Sequence, residues 1–270
     1  MDLGLKDKVA LVTGGGQGVG RAICRTLAAE GARVVVNDLA PDRAEAVAAE
    51  IRAAGGTALA AAADVIDLDA VRAMVAQAEQ ELGPVDILVN NAGVVPERRT
   101  GEIGLPVFAE SDPAHWRKFV DLNVYGMLNC CHAVVAGMTA RRRGKIITIV
   151  SDAGRVGEPR MAVYAAAKAA ALGFTKTLAK ELGRHRINVN TVALSAVAHE
   201  APMADFLRED ATAENNETLA KVLRQYPIGQ GLGRLTRPQD AADAVAFMAS
   251  DRAAYVTGQC LPVNGGFAMV

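Results

Sequence analysis

The sequence predicts an α/β fold: one domain, with a doubly wound parallel sheet of about seven strands between two helical layers, α/β/α. Three observations carry that expectation. Short apolar runs alternate with longer segments of helical period along all 270 residues, so each strand reaches its parallel neighbour through a right-handed helical crossover. The runs are continuous, as in VALV and ILV, which suits strands covered on both faces. No internal repeat, low-complexity linker or charge block marks a second domain, and 51% apolar residues suffice for one large core.

Taken in order, strands are expected at 9–13, 33–37, 58–62, 87–90, 145–150, 188–192 and 260–263. Between them, helices are expected at 20–30, 41–54, 68–82, 113–138, 163–183 and 238–250, all rich in Ala, Leu, Glu, Arg and Lys. Two long connections break the rhythm. Residues 94–112 contain Pro96 and Pro106, and residues 195–235 carry an amphipathic piece near 216–225; both are candidate substrate lids. Residues 122–140 hold no charge and approach the length of a membrane span. Asn123, Asn129, His132, Thr139 and two glycines within them favour a buried interface helix instead.

Composition excludes some functions. With 29 basic against 30 acidic side chains, no reservoir of positive charge exists for a nucleic-acid backbone. The N-terminus shows no secretory leader, so the expected compartment is the cytoplasm. Cys24, Cys130, Cys131 and Cys260 lack metal-ligand spacing and read as reduced thiols, and no metal is expected.

The first strand runs into TGGGQGVG, Thr13 to Gly20, and then into a helix. Glycines there permit positive φ and let backbone amides approach a pyrophosphate, while the helix N-terminus adds positive partial charge. The spacing is G-x-x-x-G-x-G, from Gly14, Gly18 and Gly20, with Gln17 and Val19 inside the turn. The second strand leads to Asn37 and Asp38, followed by Leu39, with Asp38 24 residues after Gly14. A carboxylate there accepts ribose hydroxyls and repels a 2′-phosphate, so NAD is expected over NADP. Arg43 falls in the following helix and is not read as a phosphate clamp.

Tyr164 and Lys168 lie four apart in a helical stretch and so share one face. An ammonium beside a phenol lowers its pKa from near 10. Ser151 stands 13 residues earlier at a strand end, where its hydroxyl can return to the tyrosine.

With TGGGQGVG, Asp64 and Val65, NNAG at 90–93, Asn123, Ser151, Tyr164, Lys168 and VNGG at 263–266, the chain resembles the short-chain dehydrogenase/reductase family over essentially its whole length. The resemblance implies a Rossmann-type fold and hydride transfer between a secondary alcohol or ketone and a nicotinamide cofactor. It implies that Tyr164 is the general acid/base, that Ser151 holds the substrate oxygen, and that Lys168 binds the nicotinamide ribose. Asn123 would hold a water linking Lys168 to solvent. Asp64 and Val65 would contact adenine, and Asn91, Ala92 and Gly93 the cofactor ribose. A homotetramer is also implied. One departure stands out: Leu194 and Ser195 occupy the place of a Pro-Gly pair after the sixth strand, which weakens Thr191, Val192 and Leu194 as cofactor residues.

The expected activity is therefore an NAD(H)-dependent oxidoreductase on a small-molecule alcohol or ketone. Arg155 and Arg160 lie on the loop between Ser151 and Tyr164, either as solvated loop residues or as contacts for a carboxylate-bearing or hydroxyacyl substrate. His199 is a further candidate for binding or gating. Arg141, Arg142 and Arg143 either meet an acidic carrier or complement a helix C-terminus. Two alternatives stay open: an NADPH-dependent 3-oxoacyl carrier-protein reductase, and a non-catalytic NAD-binding subunit or sensor.

Overall fold

The computed structural model of the chain describes residues 2–198, 205–208 and 210–270. Its strands are β1 (Val9–Val12), β2 (Arg33–Asp38), β3 (Thr57–Ala62), β4 (Val85–Asn90), β5 (Gly144–Ser151), β6 (Ile187–Leu194) and β7 (Cys260–Val263). The helices through the first half are α1 (Gly18–Ala29), α2 (Pro41–Ala53), α3 (Leu68–Glu81), α4 (Pro96–Thr100), α5 (Pro113–Val120) and α6 (Gly126–Arg141). Those of the second half are α7 (Ala153–Val156), α8 (Ala162–Leu182), α9 (Glu217–Leu223), α10 (Pro227–Leu232) and α11 (Pro238–Ala249). All seven strands pair in parallel, in the order β3-β2-β1-β4-β5-β6-β7.

The sheet is covered on both faces because side chains alternate along each strand. In β1, Ala10 and Val12 join the core that packs under α1, α2 and α11, while Val9 and Leu11 join the one under α3, α6 and α8. Helix starts follow local chemistry: the Asp67 carboxylate accepts from the amides of Asp69 and Ala70 at α3, and Pro41, Pro113, Pro227 and Pro238 open their helices. β1 and β4 are neighbours although three helices and two strands separate them in sequence. At that switch the crossovers diverge to opposite faces and leave a crevice beyond the carboxyl ends of the strands.

The expected helix at 113–138 differs from what forms. Asp121–Tyr125 is one π-helical turn between α5 and α6, so Pro113–Arg141 runs continuously with a bulge at Asn123. By length and composition this stretch is long and apolar enough to cross a membrane, but Met127, Cys130, Cys131, Val134 and Met138 pack one of its faces into the core. The connection at 195–235 contains α9 and α10 and a small core of its own around Leu219, Leu223, Tyr226 and Leu235.

Candidate active site

The glycine turn is tied directly to the end of β4. Thr13 Oγ1 accepts from the amides of Asn91 and Ala92 at 3.0 and 3.1 Å, and Asn91 Nδ2 donates to the carbonyls of Thr13 and Gly14 at 2.9 and 3.0 Å. Gly14 has φ 60, and a Cβ on Gly20 would lie 2.1 Å from the Gly14 carbonyl oxygen, so neither position accepts a side chain unstrained. No side chain caps the first turn of α1, and no acidic residue lies in it. The turn thus presents a helix N-terminus to the crevice, a fit for the pyrophosphate of a dinucleotide. Gln17 is the N-cap, Gly18 has φ 51, and Val19 packs against the core beneath.

Asp38 ends β2 beside the glycine turn. Only 3% exposed, it accepts from the amides of Gly16 (3.2 Å) and Ala40 (3.0 Å), and Arg43 reaches it with Nε at 3.1 Å and Nη2 at 2.8 Å. Sequence spacing missed this ion pair, because a residue in the next helix turn points back over the strand end. Leu39 is exposed beside it. Asp64 Oδ1 accepts from the Ile66 amide. The Val65 side chain is buried against Gly126 and lines one small cavity with Thr13, Ala92, Asn123 and Lys168. Thr191 and Val192 are buried inside β6 and present no side chain to the crevice.

Ser151 ends β5, its Oγ accepting from the Ala153 amide at 3.2 Å, and its hydroxyl lies near enough to the Tyr164 phenol on α8 to act on it. Burial pushes the Tyr164 phenol up to about 12, with the Ser151 hydrogen bond opposing and the Glu158 charge adding to the rise. The expected lowering by Lys168 is not seen: desolvation of the phenolate governs the shift, and Lys168 is not among its causes. Lys168 is itself pushed down to about 8 by burial, and its Nζ donates to the Ile149 carbonyl at 2.9 Å while lying 5.8 Å from the Tyr164 ring centre. Phe119 closes the other side of that ring, edge-on at 6.4 Å.

A Cβ on Gly93 would stand 2.7 Å from Lys168 Nζ and 2.9 Å from Asn123 Oδ1, so the NNAG backbone lies directly over the lysine and the π-turn asparagine. Asn123 Nδ2 donates to the Phe119 carbonyl, but its Oδ1 and that of Asn90 are buried without a partner. Both side chains, with Lys168, line a cavity of about 10 Å³, room for about one water molecule.

The expected substrate arginines divide. Arg155 does not face substrate: its side chain is 7% exposed and bonds to Asp152 and to the Val270 carbonyl. Asp152 in turn accepts from Asn264 at 2.7 Å, a partner 112 residues away that no local pattern reveals. Arg160 is exposed, at φ 70, on the loop before α8. His199 lies outside the described residues. Ser195, in the place of the Pro-Gly pair, bonds through Oγ to the Tyr226 hydroxyl at 2.7 Å, and Tyr226 stacks on Phe267. This contact joins the exit of β6 to the 195–235 connection. Arg141, Arg142 and Arg143 lie at the opposite end of the sheet, away from all these groups.

A family model described as short chain dehydrogenase matches residues 8–212. The chain is similar to a 3-oxoacyl-(acyl-carrier-protein) reductase of Staphylococcus aureus, 38% identical over 263 residues, covering 97% of this chain and 98% of the relative. A protein of the same description from Staphylococcus epidermidis is 38% identical over 264 residues, covering 97% and 100%. Another from Escherichia coli is 37% identical over 269 residues, covering 99% and 100%.

Proposed function

The chain belongs to the short-chain dehydrogenase family, and from that premise we propose that it interconverts 3-oxoacyl and 3-hydroxyacyl thioesters with a nicotinamide cofactor. The observation that carries the reaction is the buried Tyr164 phenol beside Ser151, with buried Lys168 Nζ 5.8 Å from its ring centre. The bound cofactor supplies or accepts the hydride. Ser151 and Tyr164 hold the substrate oxygen between two hydroxyls, and Tyr164 gives that oxygen its proton in reduction or removes it in oxidation. Lys168 holds the cofactor ribose and favours the phenolate, and Asn123 positions a water through which the proton is replaced. The intact Ser151, Tyr164, Lys168 and Asn123 weigh against a non-catalytic sensor.

The relatives' descriptions favour a thioester substrate over a generic alcohol. Sequestered Arg155 weighs against a free carboxylate held by that loop. For the cofactor we propose NAD(H), because Asp38 places a buried carboxylate at the ribose and repels a 2′-phosphate. The second reading, NADPH, is favoured by one observation. Arg43, 44% exposed, stands over Asp38 and can turn toward a phosphate.

A short 3-oxoacyl-CoA, assayed with each cofactor, tests both parts. We expect turnover, with NADH bound about tenfold or more tighter than NADPH. Tighter NADPH, lost in Arg43→Ala, would establish the second reading, and no oxidation of either cofactor would remove the thioester.

Residues 195–235 are proposed as the substrate lid. We also propose a homotetramer built on the α5–α6 stretch and α8. Only 33% of the most apolar part of that stretch is buried within one chain.

A further inference from the structure

A second large concavity, about 820 Å³, opens at the amino ends of the strands, opposite the catalytic crevice. Lys8, Asp86, Gly144, Lys145, Ile187 and Asn188 form its floor at the starts of β1, β4, β5 and β6. Six cations line it against two carboxylates, in a chain whose net charge is −1. Lys8 pairs with Asp251 at 2.6 Å and Arg143 with Asp86 at 2.8 Å. The others have only neutral partners: Arg141 bonds to the Val85 carbonyl, Arg142 to the Arg184 carbonyl, and Lys145 to Asn188 Oδ1. Arg186 makes no ion pair among the described residues.

Helix dipoles do not account for this charge. α6 and the turn following α8 both end here, and each C-terminus contributes about half a negative charge. Four cations that make no ion pair among the described residues therefore still leave roughly three positive charges. Two further observations point to a ligand. Arg141 Nε is buried without a partner. And both helix ends close on a left-handed arginine, Arg142 at φ 54 and Arg186 at φ 59, where glycine or asparagine is the unstrained choice. Burial also presses Lys145 down to about 8, with the Asp251 charge opposing that shift and the Lys8 charge adding to it. Tyr255, fully exposed, offers a ring face at the rim.

We propose that this groove binds the diphosphate group of a small molecule, at a site separate from the cofactor crevice. The test uses enzyme saturated with its nicotinamide cofactor, so that the crevice is closed to competitors, titrated with inorganic pyrophosphate and with ADP by calorimetry. Saturable binding is expected that weakens about tenfold or more in Arg142→Asn/Arg186→Asn, with unchanged kcat. Asparagine accepts the left-handed backbone, so the double variant keeps its fold; each single variant is expected to lose part of the affinity. Tighter ADP binding, lost in Tyr255→Ala, identifies a nucleotide, whereas equal binding identifies a free oligophosphate, and either supports the site. No saturable binding, or unchanged affinity in the double variant and both singles, overturns it.

Discussion

At the scale of single residues, the site combines groups that water would keep apart. Lys168 pushed to about 8 and Tyr164 to about 12 are both consequences of burial, the cost of placing ionisable groups where charge acts at full strength. For Lys168 the consequence for stability has a definite sign. Below about pH 8 the lysine is charged in both folded and unfolded chains, and its burial cost is fully present. Between about 8 and its ordinary value near 10.4 the unfolded chain binds more protons, so stability rises with pH and the cost fades. Lys168→Met is accordingly expected to stabilise the cofactor-free protein, on the order of 2 kcal/mol at pH 7, with the gain vanishing near pH 10.4. Denaturant melts at both pH values check this, and an equal gain at both would show that burial of charge is not the cause. Tyr164, Lys168 and Ser151 were legible in the sequence because helical spacing and a strand end fix where they meet. Arg155 was misread for a physical reason: its Asp152 partner is local, but the Asn264 and Val270 contacts that bury the pair come from the far end of the chain.

At the scale of elements, the strands were legible because a sheet buried on both faces leaves continuous apolar runs. β3 and β7 form the two edges of the sheet and are the least covered, yet their runs were still apolar enough to read. The π-turn was not legible, since DLNVY carries no period that separates five residues per loop from an α-helix. α4, α7 and α10 are too short to show any period. The Ser195–Tyr226 contact belongs to this scale, because it fastens α10 to the exit of β6, where Leu194 is the register partner of Ser151. Tyr226→Phe keeps the stacking on Phe267 and removes the bond. It is expected to raise KM about fivefold with little change in kcat, and Ser195→Ala to do the same, with no further effect in the double variant. Additive effects would mean that the two hydroxyls do not act through each other.

At the scale of the whole molecule, one sheet separates two functions of charge. Its carboxyl ends carry the glycine turn, Asp38 and the Ser151–Tyr164 pair; its amino ends carry the basic groove. The proposed tetramer predicts sedimentation at four times the 28.2 kDa chain mass, and a stable monomer at micromolar concentration would contradict it. The central claim is that Tyr164, beside Ser151 and Lys168, moves the proton that accompanies hydride transfer. Its most direct test is the single-turnover rate of Tyr164→Phe with cofactor and 3-oxoacyl-CoA, alongside the cofactor's Kd. A fall of about a thousandfold or more with an unchanged Kd is predicted. A rate within about tenfold of the wild type would contradict the assignment.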